Sequence, residues 1–169
     1  MTSKNIAAIY TVTPSQPAGE LVYSAPVISM RIVRDSGMPV PRRIKSPSDI
    51  AVLLHERYAM ADREIFVVVL LDTKNTVLAI DPVAVGSLDS AMISMREVFK
   101  SAIMIGAAAI IVAHNHPSGD PTPSPEDVAI TRQIASAGKL LDIELLDHIV
   151  LGSASHVSLR DRGLGFDQR

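Results

Sequence analysis

Apolar positions along this chain switch between helical and strand spacing, and the switches outline an α/β domain. After Ser46, a capping residue with Pro47 at the first helical position, Ile50, Leu53, Leu54 and Tyr58 recur on one face and predict an amphipathic helix to about Ala61. Glu64 precedes an unbroken apolar run, Ile65-Phe66-Val67-Val68-Val69-Leu70-Leu71, which with Val77 to Ile80 predicts a hairpin turning at Lys74-Asn75. Ser87 or Ser90 is expected to open a second helix, with Ile93, Val98, Ile103 and neighbouring methionines in the core. Ala107 to Ala113 is a second continuous apolar run, of the kind that makes a strand buried on both faces. Pro117, Gly119, Pro121 and Pro123 then forbid helix until Ser124-Pro125, which caps a third helix with Val128, Ile130, Ile134 and Ala135 on its apolar face. Ile143 to Leu151 supplies a last long strand. This order predicts a two- or three-layer α/β sandwich around a mixed sheet.

The first residues follow a different pattern. Pro14, Pro17, Gly19 and Pro26 break residues 1–25 into turns, and Val27 to Val33 predicts a strand. The expected organisation is an N-terminal extension over residues 1–43, partly strand and partly flexible, and a main domain over residues 44–169. A length of 169 residues with 47% hydrophobic content suits a single core.

Candidate chemistry concentrates where the second apolar run ends. His114-Asn115-His116 follows Ala113, and Asp127 stands ten residues further on. Residues two apart on an extended chain point to the same side, so both imidazoles can converge on one ion while Asn115, a spacer, points away. Asp127 falls in the first turn of the third helix, a rigid element. Two imidazoles and one carboxylate leave a fourth tetrahedral position open, which suits a catalytic rather than a structural zinc site. Zinc there lowers the pKa of a bound water toward about 7 and polarises a substrate carbonyl, and a nearby carboxylate must shuttle the proton. The tetrapeptide Ser124-Pro125-Glu126-Asp127 alone is uninformative, because Ser46-Pro47-Ser48-Asp49 repeats the capping pattern with no histidine pair beside it. Its fixed distance from the His-x-His is what carries the metal assignment.

His114-x-His116-Pro117, the proline-rich loop and Pro123-Ser124-x-x-Asp127 resemble the signature of JAMM (MPN-plus) zinc metallopeptidases, and His-Asn-His-Pro-Ser-Gly-Asp is similar to the form in the RadC-like branch. Leu71-Asp72-Thr73-Lys74-Asn75, Arg96-Glu97-Val98-Phe99-Lys100 and Leu146-Asp147-His148-Ile149-Val150 are also similar to RadC-like segments in the same order, so the resemblance covers about residues 44 to 160. It implies a JAB/MPN-like, cytidine-deaminase-like fold in which helices sandwich a mixed sheet. It further implies His114, His116 and Asp127 as zinc ligands and Glu64, just before an apolar strand, as the proton shuttle to the leaving amine. Sequence order alone does not choose Glu64 over Glu97, Glu126 or Glu144. Ser124 is implied as an oxyanion donor, a role worth about 2.7 to 4 kcal/mol when the donor is well aimed. Ser94-Met95 replaces a His-Pro pair that many family members carry. Residues 1–43 are too few and too rich in Pro, Ser and Val for the helix-hairpin-helix module of longer relatives, so a short form is expected.

Asp147-His148 is expected to make a structural hydrogen bond in the late strand, and His55 and His156 have no ligand-spaced partners, so these histidines stay outside the expected site. Zero cysteines exclude disulfides, thiol nucleophiles and thiolate zinc sites. No charged-then-apolar leader begins at Met1, and Ile103 to Ala113 is far shorter than the roughly 20 residues that span a bilayer. A soluble cytoplasmic protein without membrane contact is the expectation. Net charge is -2, which offers no overall attraction to nucleic acid. The local basic group Arg31, Arg34, Arg42, Arg43 and Lys45 is interrupted by Asp35 and lacks interleaved aromatics. The expected activity is zinc-dependent amide hydrolysis of a peptide or isopeptide. The alternatives are a DNA-repair-associated nuclease and a non-catalytic module that binds nucleic acid or protein.

Overall fold

Unbroken apolar runs of seven residues, such as Ile65 to Leu71 and Ala107 to Ala113, demand burial on both sides, and the computed structural model, which describes residues 43–86 and 93–166, provides it. Five strands, β1 (Ile65–Leu71), β2 (Val77–Val85), β3 (Ala109–Asn115), β4 (Glu144–Leu151) and β5 (His156–Ser158), form one sheet in the order β2-β1-β3-β4-β5. β3 and β4 are parallel and the other neighbours antiparallel. The helices are α1 (Pro47–Leu54), continued by a π-helical turn His55–Ala59, α2 (Met95–Ile105) and α3 (Pro125–Leu141).

The pleat divides the strand residues between two cores. Val67, Val69, Leu71, Ile111 and Ala113 pack with α1 and the π turn, whereas Phe66, Val68, Leu70, Ile110 and Val112 pack with Val98 and Phe99 of α2 and Ile130 and Ile134 of α3. The result is the mixed α/β sandwich that a JAB/MPN-like fold requires, with helices on both faces.

Several expectations change in detail. β2 runs to Val85 instead of stopping near Ile80. Pro82 is tolerated because β2 is an edge strand among the described residues, and the ladder to β1 shifts register where Val67 faces Pro82. Asp72 makes the hairpin turn, its Oδ1 accepting from Lys74 N–H at 2.7 Å and Thr76 N–H at 2.8 Å, with Asn75 at φ 60°. α2 opens at Met95, where Ser94 Oγ accepts from Arg96 N–H at 3.3 Å. Ser87 and Ser90, expected as its start, lie outside the described residues, as do the strand Val27 to Val33 and Arg31, Arg34 and Arg42. Ile103 is 58% exposed rather than in the core. The buried stripe of α2 is Val98, Phe99 and Ala102, and Ile103 follows Val98 by five residues, about 140° round the helix. The short strand β5, unforeseen, covers the outer edge of β4.

Among the described residues no helix is long and apolar enough to cross a membrane.

Candidate metal centre

β3, the central strand, carries its apolar run directly into the two histidines. His114 lies opposite Phe66 in the β1 ladder and opposite Val150 in the β4 ladder, and is 1% exposed. By the pleat its ring falls on the α2/α3 face, where it stacks on Phe66 with centroids 6.0 Å apart. His116, one residue beyond the strand, is half-buried, and its ring centroid is 4.9 Å from that of His114. The two imidazoles therefore share a side, as the spacing predicts.

The third group comes from α3. Ser124 and Asp127 make a reciprocal capping box: Ser124 Oγ accepts from Asp127 N–H at 3.1 Å, and Asp127 Oδ2 accepts from Ser124 N–H at 2.7 Å. Ser46 and Asp49 make the same box at α1, with Asp49 Oδ2 accepting from Ser46 N–H at 2.9 Å. What differs is the surroundings: Asp127 is buried, and its Oδ1 lies 3.1 Å from His114 Nε2 and its Oδ2 3.6 Å from His116 Nε2. The two Nε2 atoms are 3.0 Å apart. His114, His116 and Asp127 thus form a group able to hold a metal ion, one atom from each lying within 4.8 Å of the others.

Electrostatics within the cluster favour a cation. Burial pushes the Asp127 carboxyl up, but the two imidazoles and the Ser124 N–H outweigh it and hold the group well below the usual carboxylate range. Hydrogen bonding with Asp127 raises His116 above the ordinary imidazole value against desolvation, helped by the Asp120 carbonyl and the charges of Asp127 and Glu64. A metal ion entering the cluster competes with protons for the His116 nitrogen that it binds. His116 Nδ1 lies 2.8 Å from the Asp120 carbonyl oxygen, which can only accept, so Nδ1 carries hydrogen there.

Glu64 ends the loop before β1, partly buried and near enough to His116 to act on its charge; its own carbonyl accepts from Gly86 N–H at 2.9 Å. Its position is held by Asn115. Asn115 Oδ1 accepts from Ile65 N–H at 2.8 Å and Nδ2 donates to the Arg63 carbonyl at 3.0 Å, so both peptide neighbours of Glu64 are tied to the middle residue of His-Asn-His. Asn115 is therefore more than the spacer that its alternation suggests. Ser124, as a cap acceptor, retains its hydroxyl proton for donation.

Two further residues were not expected at the centre. His148, fully buried on β4, places Nε2 2.9 Å from His114 Nδ1, and Thr131 Oγ1 lies 2.6 Å from His148 Nδ1. A lone histidine in an apolar strand and a threonine inside a helix carry no spacing signal; the parallel pairing of β3 and β4 brings His148 beside His114, and the packing of α3 on β4 brings Thr131 to His148. Burial holds the His148 imidazole well below its ordinary value, and His114 adds in the same direction. Asp147 is structural, as expected, accepting from His148 N–H, Arg160 N–H and the Ser158 hydroxyl at 2.7, 3.1 and 2.7 Å. His55 pairs with the Ser153 carbonyl, 98 residues away in sequence, and stays outside the cluster.

The loop from His116 to Pro123 is pinned against the turn after β4. Leu151 carbonyl accepts from His116 N–H at 2.9 Å and Gly119 carbonyl from Ser153 N–H at 3.1 Å. The approach is so close that a Cβ on Gly152 would stand 2.4 Å from the Gly119 carbonyl oxygen. A separate cavity lined by Arg132, Lys139, Arg160 and Phe166 contains none of the cluster's donors.

Residues 44–164 match the family model described as the RadC-like JAB domain. The chain is 56% identical over 124 residues to a UPF0758 protein of Chloroflexus aurantiacus, covering 73% of this chain and 54% of that protein. A UPF0758 protein of Moorella thermoacetica is 54% identical over 121 residues, covering 72% and 53%. One from Roseiflexus castenholzii is 53% identical over 124 residues, covering 73% and 53%. The chain spans about half the length of these relatives.

Proposed function

Because the chain belongs to the RadC-like JAB domain family, we propose that it is a zinc-dependent metallopeptidase or isopeptidase, acting in the cytoplasm, with His114, His116 and Asp127 as the zinc ligands. The carrying observation is the donor spacing. Zinc bonds of about 2.0–2.1 Å in tetrahedral geometry separate donor atoms by about 3.3 Å; here the two Nε2 atoms are 3.0 Å apart, and the Asp127 carboxylate approaches them with Oδ1 3.1 Å from His114 and Oδ2 3.6 Å from His116. Two nitrogens and one carboxylate are the donor types that zinc takes in catalytic sites, with one position left for water or substrate.

Zinc bound there would polarise the scissile carbonyl and bring the pKa of a water toward about 7. Glu64 takes the proton of the attacking water and returns it to the leaving amine, a service worth roughly 10²- to 10⁴-fold in rate. Ser124 turns its free hydroxyl proton toward the oxyanion while its oxygen keeps the helix cap. Asn115, by clamping the peptides on either side, keeps Glu64 from swinging away.

Zinc-loaded protein and Glu64→Gln, screened against a broad library of peptide and isopeptide substrates, test the proposal. Cleavage by the wild type and none by the variant, at equal zinc content, is expected. No cut substrate in either, or cleavage of labelled nucleic acid instead, would contradict it.

A further inference from the structure

We propose that Thr131 and His148 are positioning residues that fix the tautomer of His114 through a buried, one-directional chain of hydrogen bonds beginning on the backbone of Asp127. The inference rests on the zinc reading of this site and adds how one ligand is made ready for the ion.

The direction of each proton follows from the member of the chain that has no choice. The Asp127 carbonyl oxygen can only accept, so the Thr131 hydroxyl, 2.5 Å away, donates to it. With its proton committed, Thr131 Oγ1 meets His148 Nδ1 at 2.6 Å as an acceptor, and Nδ1 must carry hydrogen. His148 is 0% exposed, where an imidazolium is strongly disfavoured, so its Nε2 is a bare lone pair. That lone pair lies 2.9 Å from His114 Nδ1, which therefore donates to it. The Nε2 of a neutral His114 is then unprotonated, and with Asp127 Oδ1 3.1 Å and His116 Nε2 3.0 Å away, a cation or a proton carried by His116 has to stand among these atoms. Reversing the chain would place a proton on His114 Nε2, where the ion has to bind.

Phe66 restrains both rings, stacked on His114 at 6.0 Å and edge-on to His148 at 5.6 Å. His116 reaches the same tautomer in one step, through the Asp120 carbonyl at 2.8 Å in an exposed loop. Asp127 thus serves twice: its carboxylate joins the donor cluster, and its carbonyl anchors the chain that orients a second donor. Ring partners of this type usually change metal affinity 10- to 100-fold when lost.

The test compares wild type, Thr131→Val, Thr131→Ala and Thr131→Ser. Ring ¹⁵N shifts of His114 are recorded in EDTA-treated protein at pH 8, and zinc affinity is measured by competition with a chromophoric chelator. Wild type and Thr131→Ser should show His114 as the Nδ1–H tautomer. The two hydroxyl-free variants should show a tautomer mixture and zinc binding about 10- to 100-fold weaker; two are used so that one disturbed by packing does not decide the outcome. An Nε2–H tautomer in the wild type, or unchanged tautomer and affinity in both hydroxyl-free variants, would overturn the inference. A wild type that shows the Nδ1–H tautomer yet takes up no zinc would support the hydrogen-bond chain and contradict the zinc proposal, so the two failures are distinct.

Discussion

Asn115 Oδ1 accepts from the Ile65 N–H at 2.8 Å, which couples the residue between the two histidines to the strand that follows Glu64. With Nδ2 donating to Arg63 O at 3.0 Å, the side chain spans the peptide bonds on both sides of the proposed proton shuttle. Removing it should loosen Glu64 without touching a metal donor. Misplacing a reacting group by about 1 Å can cost on the order of 100-fold in rate. Asn115→Ala is expected to lower kcat about 10- to 100-fold with KM and zinc content near wild type. It should also destabilise the fold by about 1 kcal/mol, because a part-buried N–H and carbonyl lose their partner. Steady-state kinetics with zinc analysis on the same sample checks this, and unchanged kcat would show that Asn115 does not position Glu64.

Stability should depend on pH through His148. Its folded-state value is depressed by burial, so below the unfolded value of about 6.5 the unfolded chain takes up a proton that the native state refuses. More protons bound in the unfolded state means stability falls as pH falls, by up to about 1.4 kcal/mol per pH unit for one group. His116 has the opposite sign: raised in the folded state, it contributes fully below about 6.5 and loses that contribution as pH rises through its folded value. Urea unfolding of EDTA-treated protein between pH 6.5 and 5.5 should therefore show a positive slope that His148→Gln flattens. A wild-type curve flat over that window would contradict the depressed value.

Gly152 should tolerate no side chain. The Cβ of Gly152→Ala would meet Gly119 O at 2.4 Å and Pro121 Cδ at 2.7 Å, so the loop carrying His116 must shift. Overpacking of this kind costs about 1–3 kcal/mol, and weaker zinc binding should accompany it. Thermal melts with and without zinc measure both effects. A zinc-induced increase in Tm equal to that of the wild type would show that the loop's seat on the β4 turn is irrelevant to the centre.

Much of this was legible in the sequence, for reasons that are local. His114 and His116 share a side because the alternation of a strand allows nothing else, and Asp127 is held by a capping box readable from Ser124 and Pro125. The hairpin, α3 and β4 follow from apolar runs and their breakers. What escaped depends on contacts distant in sequence. Pro82 looks like a strand terminator until β2 proves to be an edge, and β5 has only three residues, too short for a pattern. His148 reaches His114 across 34 residues, and Asn115 reaches Ile65 across 50. Their roles arise from strand register, which single-residue identity does not encode.

Zinc content by elemental mass spectrometry, on tag-free wild type and His116→Ala purified identically, tests the central claim most directly. The expected result is about one zinc per chain in the wild type and its loss in the variant, since His116 supplies one of three protein donors. Metal-free wild type that also fails to take up added zinc, or a variant that keeps a full equivalent, would contradict the claim.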